Sequence, residues 1–385
     1  MTKKSHLKPS RPLRLVHFID DLGRGGTQTW LSILVEGLHR LGYEQRVYCL
    51  RSIALGETVQ GLRRWVPVQV IGTHRLWALE GLVRMYRELR QWRPDIVQTQ
   101  LPTSDVVGRI LGHLAGVPTV VSSIRTRNVH KTRRQLFWDR LTASLADRVV
   151  FNSREVIPFS VQHEGVRPEQ AVYIPNGARL PAALHDPESL PARKTALRKQ
   201  LGFPDQTAVL GTVGRLYPQK GHRYLLEAFA RVIREIPETC LLVIGDGPLR
   251  KRLEQQAAGL GLAGRVRFLG DRSDVPDLLP LLDVYVHPSL YEGMPNAVLE
   301  AMAAARTVIA THVDGTQELI VGGQTGWLVE PADPEALAER MAFALRHPEE
   351  ARRMGLAAAE RVKTRFSVHR MIAAYHALYR GMVSA

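Results

Sequence analysis

Three segments of the chain place charged or glycine-rich residues where a strand gives way to a helix. HPSLYEGMPNAVLEAMAAA carries Glu292 in the loop after a strand and Glu300 eight residues later. Pro295 suits a first helical turn, so Glu300 falls on the second turn and Glu292 just ahead of the helix's positive end. One carboxylate of such a pair can face a reacting centre while the other grips vicinal hydroxyls; two solvated helix-end charges are the plainer alternative. In TVGRLYPQKGHRYLLEAF, Arg215 and Lys220 lie five apart in a loop bracketed by Gly and Pro. Arginine offers a planar fork, lysine a point charge and the helix start free N–H groups, so all can converge on one diphosphate. IDDLGRGGTQTWL runs from a strand through Gly23, Gly25 and Gly26 into a helix starting near Thr27, an anion site in principle. Its spacing is not G-x-G-x-x-G, and the second strand ends in Leu50 and Arg51 without the acid a nicotinamide ribose needs. A tight strand-to-helix turn is the alternative there.

These loops need strands behind them. From Leu13 onward, short β-branched runs alternate with amphipathic stretches, which predicts parallel sheet with crossover helices. The first half offers strands at 13–19, 45–50, 66–72, 95–100, 118–124, 146–152 and 170–177. After a polar, Pro-containing stretch at 178–194, read as a linker, the second offers 207–214, 240–247, 265–270, 283–289, 306–313 and 326–331. Helical segments at 334–346, 348–365 and 367–382 close the chain. The expected architecture is α/β, two doubly wound Rossmann-like domains facing across a cleft: 1–178, 179–366, and a terminal helix within 367–385 packing back toward the first. Ligands of such sheets bind beyond the carboxyl ends of the strands, so the cleft is the expected active site.

With 385 residues, 45% hydrophobic and 23% charged, the chain can bury two cores and is neither disordered nor fibrous. Its formal net charge is +15, and the distribution is uneven. Residues 1–180 hold 27 basic and 14 acidic side chains, the remainder 25 and 23, so nearly all the excess lies in the first half. Two clusters stand out: Arg84, Arg87, Arg90 and Arg93 beside Trp77, Tyr86 and Trp92, and Arg125, Arg127, Lys131, Arg133, Arg134 and Arg140. Both suit a solvated face or anionic lipid headgroups. No recognition helix, zinc pattern or RNA-recognition signature accompanies them, so nucleic acid is not the expected partner. Cys49 and Cys240 each sit in an apolar run, as buried thiols of a reducing compartment do. The basic N-terminus reaches two aspartates too soon for a signal-peptide core, and no apolar run approaches the ~20 residues of a membrane span. A cytoplasmic chain, at most peripheral on a membrane, is expected.

The motifs taken together resemble a known family. G-R-L-x-x-x-K-G at 214–221, V-I-G-D-G-P at 243–248, F-L-G at 268–270, E-G-M-P-N-A-V-L-E at 292–300, V-x-G-T-x-E-L-I at 313–320 and G-W-L-V at 326–329 resemble the retaining glycosyltransferases of family 4, which have the GT-B fold. Order and spacing match over about half the chain, and the Gly-rich turn at 23–26 resembles the family's first loop. The resemblance implies that Arg215 and Lys220 bind a donor diphosphate, Glu300 holds the ribose hydroxyls and Glu292 sits by the donor sugar. It implies further that Gly293, Met294, Pro295 and Asn296 line the sugar, that Gly270 to Arg272 border the base, and that Gly25, Gly26 and Thr27 close over the diphosphate. The expected activity is transfer of a sugar from a UDP- or GDP-sugar to a glycan or lipid-linked acceptor of polysaccharide or cell-envelope synthesis. The nucleotide sugar is substrate and no cofactor or metal is implied; the chain has no D-x-D. Retention implies attack from the face the phosphate leaves, with Glu292 positioning the sugar electrostatically.

Two departures matter. Many members carry a His after the strand that here reads TVVSSI, where this chain has Arg125, and the family's Cys-Gly-x-Pro reads Ala304, Ala305, Arg306, Thr307. Arg125, Asp105 and His113 are taken as acceptor candidates, and Arg84, Arg87, Arg90, Arg133 and Arg134 as candidates for an anionic membrane surface. The rival readings are a non-hydrolysing nucleotide-sugar epimerase of the same architecture and a sugar-binding protein without catalysis.

Overall fold

A computed structural model describes residues 11–23, 25–51, 57–71, 79–127, 131–181, 187–204 and 206–384. The chain divides into two compact units, 1–175 with 369–385 and 176–368.

The first unit is built on β1 (Arg14–Ile19), β2 (Glu44–Cys49), β3 (Val68–Val70), β4 (Ile96–Gln100), β5 (Thr119–Ile124), β6 (Arg148–Phe151) and β7 (Ala171–Tyr173). They form one sheet in the order β3-β2-β1-β4-β5-β6-β7, every pair parallel. The crossovers are α1 (Gly26–Arg40), α2 (Glu57–Arg63), α3 (Leu79–Trp92), α4 (Pro102–Leu114), α5 (Arg133–Ala143) and α6 (Val156–His163). β4 and β5 are buried at every position, as strands covered on both faces must be.

The second unit carries β8 (Ala208–Val213), β9 (Thr239–Ile244), β10 (Val266–Gly270), β11 (Val284–His287), β12 (Thr307–Thr311) and β13 (Trp327–Val329), parallel in the order β10-β9-β8-β11-β12-β13. Its helices are α7 (Leu190–Gln200), α8 (His222–Glu235), α9 (Arg250–Gly259), α10 (Val275–Leu278), α11 (Asn296–Ala303), α12 (Asp314–Leu319), α13 (Pro334–Arg346) and α14 (Pro348–Arg365). One apolar core joins α11 and α14 to the sheet, and a second joins α8, α9 and α13 to its other face. Asp333 caps α13 by accepting the Glu335 and Ala336 N–H groups at 3.0 Å, with Pro334 at the first helical position. Both units are Rossmann-like.

The last helix, α15 (Val368–Val383), returns the chain to the first unit, where Met371, Tyr375 and Tyr379 join the core around Trp30, Leu34 and Val150. The Tyr379 hydroxyl donates to Gln98 at 2.6 Å.

The stretch at 178–194 is not simply a linker. Leu190 begins α7, whose Lys194 and Arg198 pair with Asp283 ahead of β11. Only Leu197 of this polar helix is buried, so it carries too little apolar periodicity to be read from sequence. The runs at 66–72 and 170–177 shorten to three-residue strands, and Gly72 and Trp77 lie outside the described residues.

Candidate functional site

In the second unit the chain leaves β8 for one edge of the sheet through β9 and returns to the opposite side at β11, so β8 and β11 flank the topological switch point. That is where an open α/β sheet leaves a crevice beyond its carboxyl ends. The loop after β8 carries Arg215 and Lys220, and the loop after β11 carries Glu292.

The two loops are stitched together. The Leu290 N–H donates to the Gln219 carbonyl at 2.7 Å, and the Gln219 amide donates to the Tyr291 carbonyl at 2.8 Å. Gly221, with φ 64°, lies so close to the second loop that a Cβ would sit 1.9 Å from the Pro288 carbonyl oxygen. This approach brings Lys220 against Glu292.

Glu292 is 6% exposed, and three donors meet on one of its oxygens. The Lys220 ammonium pairs with Oε1, His287 Nε2 lies 3.0 Å from it, and the Ser289 hydroxyl donates to it at 2.7 Å. Burial pushes the carboxyl pKa up, but the Lys220 charge and the His287 hydrogen bond outweigh it and hold the group well below the ordinary glutamate range. Burial in turn keeps His287 neutral by lowering its pKa. A neutral ring facing a carboxylate must carry its proton on Nε2, which leaves Nδ1 as acceptor 3.3 Å from the Tyr285 hydroxyl. Oε2 of Glu292 makes no hydrogen bond among the described residues. His222, first residue of α8, is buried close by, and burial lowers its pKa to about 3.

Glu300 sits on the second turn of α11, half-buried and with no hydrogen-bond or ion-pair partner among the described residues. Burial alone raises its pKa to about 7. The loop between the glutamates is held from two sides. Asn176 donates to the Met294 carbonyl at 3.0 Å and to the Asn296 side-chain oxygen at 2.7 Å. The Gly315 N–H donates to the Gly293 carbonyl at 2.8 Å, and a Cβ at Gly315 would lie 2.0 Å from that oxygen. Gly315→Ala is therefore expected to push the 293–296 loop aside at about 1–3 kcal/mol of overpacking. Thermal unfolding should register this as a fall of roughly 2–4 °C per kcal/mol. Gly259→Ala, in the last turn of α9 where the added carbon meets open space, is the control and should leave Tm level or slightly raised.

Of the other expected residues, Arg215, Gly270 and Arg272 belong to the second unit and Gly25, Gly26, Thr27 and Arg125 to the first. Arg215 is exposed, its guanidinium 4.9 Å from the Tyr217 ring centre. Gly270 bonds back to Gly245 at the end of β10, and Arg272 is held by Asp274 through contacts of 2.8 and 2.6 Å. In the first unit, Gly25, Gly26 and Thr27 form the start of α1 with no side-chain cap and no acid in its first turn. Arg125 follows β5 and lies over Trp30 at 4.0 Å; burial lowers its pKa to about 10.

The structure does not bring Asp105 and His113 together: they lie at opposite ends of α4. Asp105 turns inward from the first turn of α4 and accepts from the Thr99 hydroxyl at 2.5 Å beside Arg109. Burial lifts its pKa to about 7. His113 is exposed in the last turn of α4, and a crossover helix ends at the opposite edge of the sheet from the strands' carboxyl ends.

His287, Ser289 and Asn176 were not among the expected residues. The H-P-S that ends β11 was the available signal for the first two; Asn176 is 118 residues from Met294, and only the fold joins them. Among the described residues, no group of three or more His, Cys, Asp or Glu is arranged to hold a metal ion.

Residues 193–361 match the family model for glycosyl transferases group 1, and residues 25–177 match the glycosyl transferase 4-like domain. The UDP-Gal:alpha-D-GlcNAc-diphosphoundecaprenol alpha-1,3-galactosyltransferase of Escherichia coli is 32% identical over 266 residues, 66% of this chain and 67% of its own. The alpha-D-kanosaminyltransferase of Streptomyces kanamyceticus is 28% identical over 371 residues, 87% of this chain and 94% of its own. Anabaena HepE in complex with UDP-glucose has the same fold, with a TM-score of 0.84 at 23% identity, covering 96% of this chain and 100% of that one.

Proposed function

This chain belongs to the group 1 glycosyltransferases, and we propose from that premise that it is a retaining, metal-independent enzyme using a UDP- or GDP-sugar. The acceptor in this proposal is a glycan or lipid-linked glycan. The observation that carries the reading is the meeting of Lys220 and Glu292 across the β8/β11 switch point, with Glu300 unpartnered on the next helix. A lipid-linked acceptor is supported by the Escherichia coli relative, whose name gives a diphosphoundecaprenol substrate, and by the basic first half of the chain.

Breaking a nucleotide-sugar bond leaves negative charge on the diphosphate. Lys220, Arg215 and the uncapped N-termini of α8 and α11 supply positive charge fixed before the reaction begins. Glu292 is locked as an anion with Oε2 left to accept a sugar hydroxyl, which positions the donor and favours positive charge growing at its anomeric carbon. The acceptor hydroxyl attacks from the face the diphosphate leaves. Its proton passes to the departing phosphate oxygen, and the nucleoside diphosphate is released.

Glu300, by this reading, accepts two ribose hydroxyls and does so best as a carboxylate. Its pKa near 7 means the group is protonated in acid, so donor affinity should rise as pH climbs through about 7. Glu300→Gln should bind donor roughly 10-fold or more weakly and lose that dependence. Calorimetric titration with a panel of nucleotide sugars, followed by the anomeric configuration of the product, tests the whole reading. Release of an altered nucleotide sugar without acceptor would replace it with epimerisation.

A further inference from the structure

One helix of the first unit presents a face that none of the described residues covers. α5 is fixed at its start by a capping box between Thr132 and Gln135, and from beneath by Asp139, whose carboxylate meets Lys131 at 2.7 Å in the interior. Its outward side carries Arg133, Arg134, Phe137, Arg140 and Leu141. Phe137 and Leu141, four apart and so on one face, are 59% and 57% exposed. Asp139 is the helix's one acid, and it points inward. Arg133 and Arg134 have no partner among the described residues, and Arg140 lies along the surface through a 2.8 Å bond to the His163 carbonyl.

The other basic helix differs. On α3, Arg84, Arg87 and Arg90 are exposed, but Glu80 and Glu88 alternate with them and Arg84 pairs with Glu88 at 3.1 Å. Its one strongly exposed apolar side chain is Leu79, at the very start. α3 has the pattern of a solvated face; α5 sets two bare apolar side chains among arginines with no carboxylate between them. That combination matches the boundary between anionic headgroups and acyl chains, where apolar tips enter and guanidinium groups pair with lipid phosphate.

We propose that α5 is the surface by which the first unit rests on an anionic lipid bilayer, with Phe137 and Leu141 entering it and Arg133, Arg134 and Arg140 binding lipid phosphates. No helix among the described residues is long and apolar enough to cross a membrane, so the contact is interfacial. α5 begins just beyond the carboxyl end of β5, the edge at which this sheet would receive a ligand. A lipid-linked headgroup would thus reach that edge from the same surface. The inference rests on the lipid-linked acceptor proposed above.

The test is co-sedimentation of the full chain with phosphatidylcholine vesicles, with and without phosphatidylglycerol, at low and high salt. The wild type should bind only vesicles containing phosphatidylglycerol. Arg133→Gln/Arg134→Gln/Arg140→Gln should weaken this by about 100-fold, at roughly fivefold per arginine. Phe137→Ser/Leu141→Ser should keep salt-labile binding and lose the salt-resistant part. Arg84→Gln/Arg87→Gln/Arg90→Gln should behave as wild type. The proposal falls if the wild type ignores phosphatidylglycerol, or if the α3 variant loses as much binding as the α5 variant. It falls equally if light scattering finds a dimer that Phe137→Ser/Leu141→Ser dissolves, which would give the face to a second copy. Nucleotide-sugar turnover, measured in parallel, separates this failure from failure of the glycosyltransferase reading.

Discussion

Lys220→Met is expected to abolish sugar transfer for practical purposes, lowering kcat by on the order of 10²–10³, the effect of deleting one preorganised charge-stabilising donor. In the folded chain the Lys220 ammonium is held by Glu292, so the substitution acts twice. It removes the cation proposed above for the leaving group, and it leaves a buried carboxylate with only the neutral donors His287 and Ser289. Breaking a buried ion pair by removing one partner costs about 3–5 kcal/mol, and the surviving donors should keep the loss near the lower end. The pH dependence carries a sign. A carboxyl whose folded pKa is depressed contributes stability that is present above the ordinary glutamate range and lost as pH falls through the depressed value. The Tm gap between Lys220→Met and wild type should therefore be widest near neutrality and narrow on acidification. Near-normal kcat in a folded Lys220→Met enzyme would remove Lys220 from the active site.

Why the sequence shows Lys220 and Glu292 but not their contact follows from where each signal is encoded. β9 and β12 read as strands because parallel strands buried on both faces are continuous runs of apolar residues with threonine or cysteine between. The same reasoning locates the loops after β8 and β11, and with them both charged residues. Their meeting depends on β8 lying beside β11, a neighbour relation between strands more than 70 residues apart that no local pattern records. Asn176 is hidden for the same reason: it ends the P-N of a segment that reads as strand, and its partners lie in the Met294–Asn296 loop. Asp105 shows the opposite case. Helical spacing places it on α4 near the carboxyl end of β4, but the phase of that helix turns it onto Thr99 and Arg109 beneath. α7 is hard to read from sequence because Leu197 is its only buried residue, with Leu190 partly buried against the same core and Lys194 and Arg198 adding charge contacts to Asp283.

Glu292 should prove only as effective as the groups that hold it, and His287 is the test. His287→Leu removes the Nε2–H that donates to Oε1 and leaves Lys220 and Ser289 on the carboxylate. A hydrogen bond to a charged group contributes about 1.5–3 kcal/mol, so kcat should fall by roughly 10- to 100-fold. Donor KM should move less, because the ribose and diphosphate contacts proposed for Glu300, Arg215 and Lys220 do not pass through His287. The burial that would raise the Glu292 pKa is then opposed by one donor fewer, so the acid limb of the pH–rate profile should shift to higher pH. His287→Gln is the informative partner variant: its side-chain amide can place an N–H near the position of Nε2. It should recover most of kcat and return the acid limb toward the wild-type position. Equal losses in the Leu and Gln variants, with an unshifted acid limb, would mean that the ring serves only to pack against Tyr285, and that Lys220 and Ser289 suffice to hold the carboxylate.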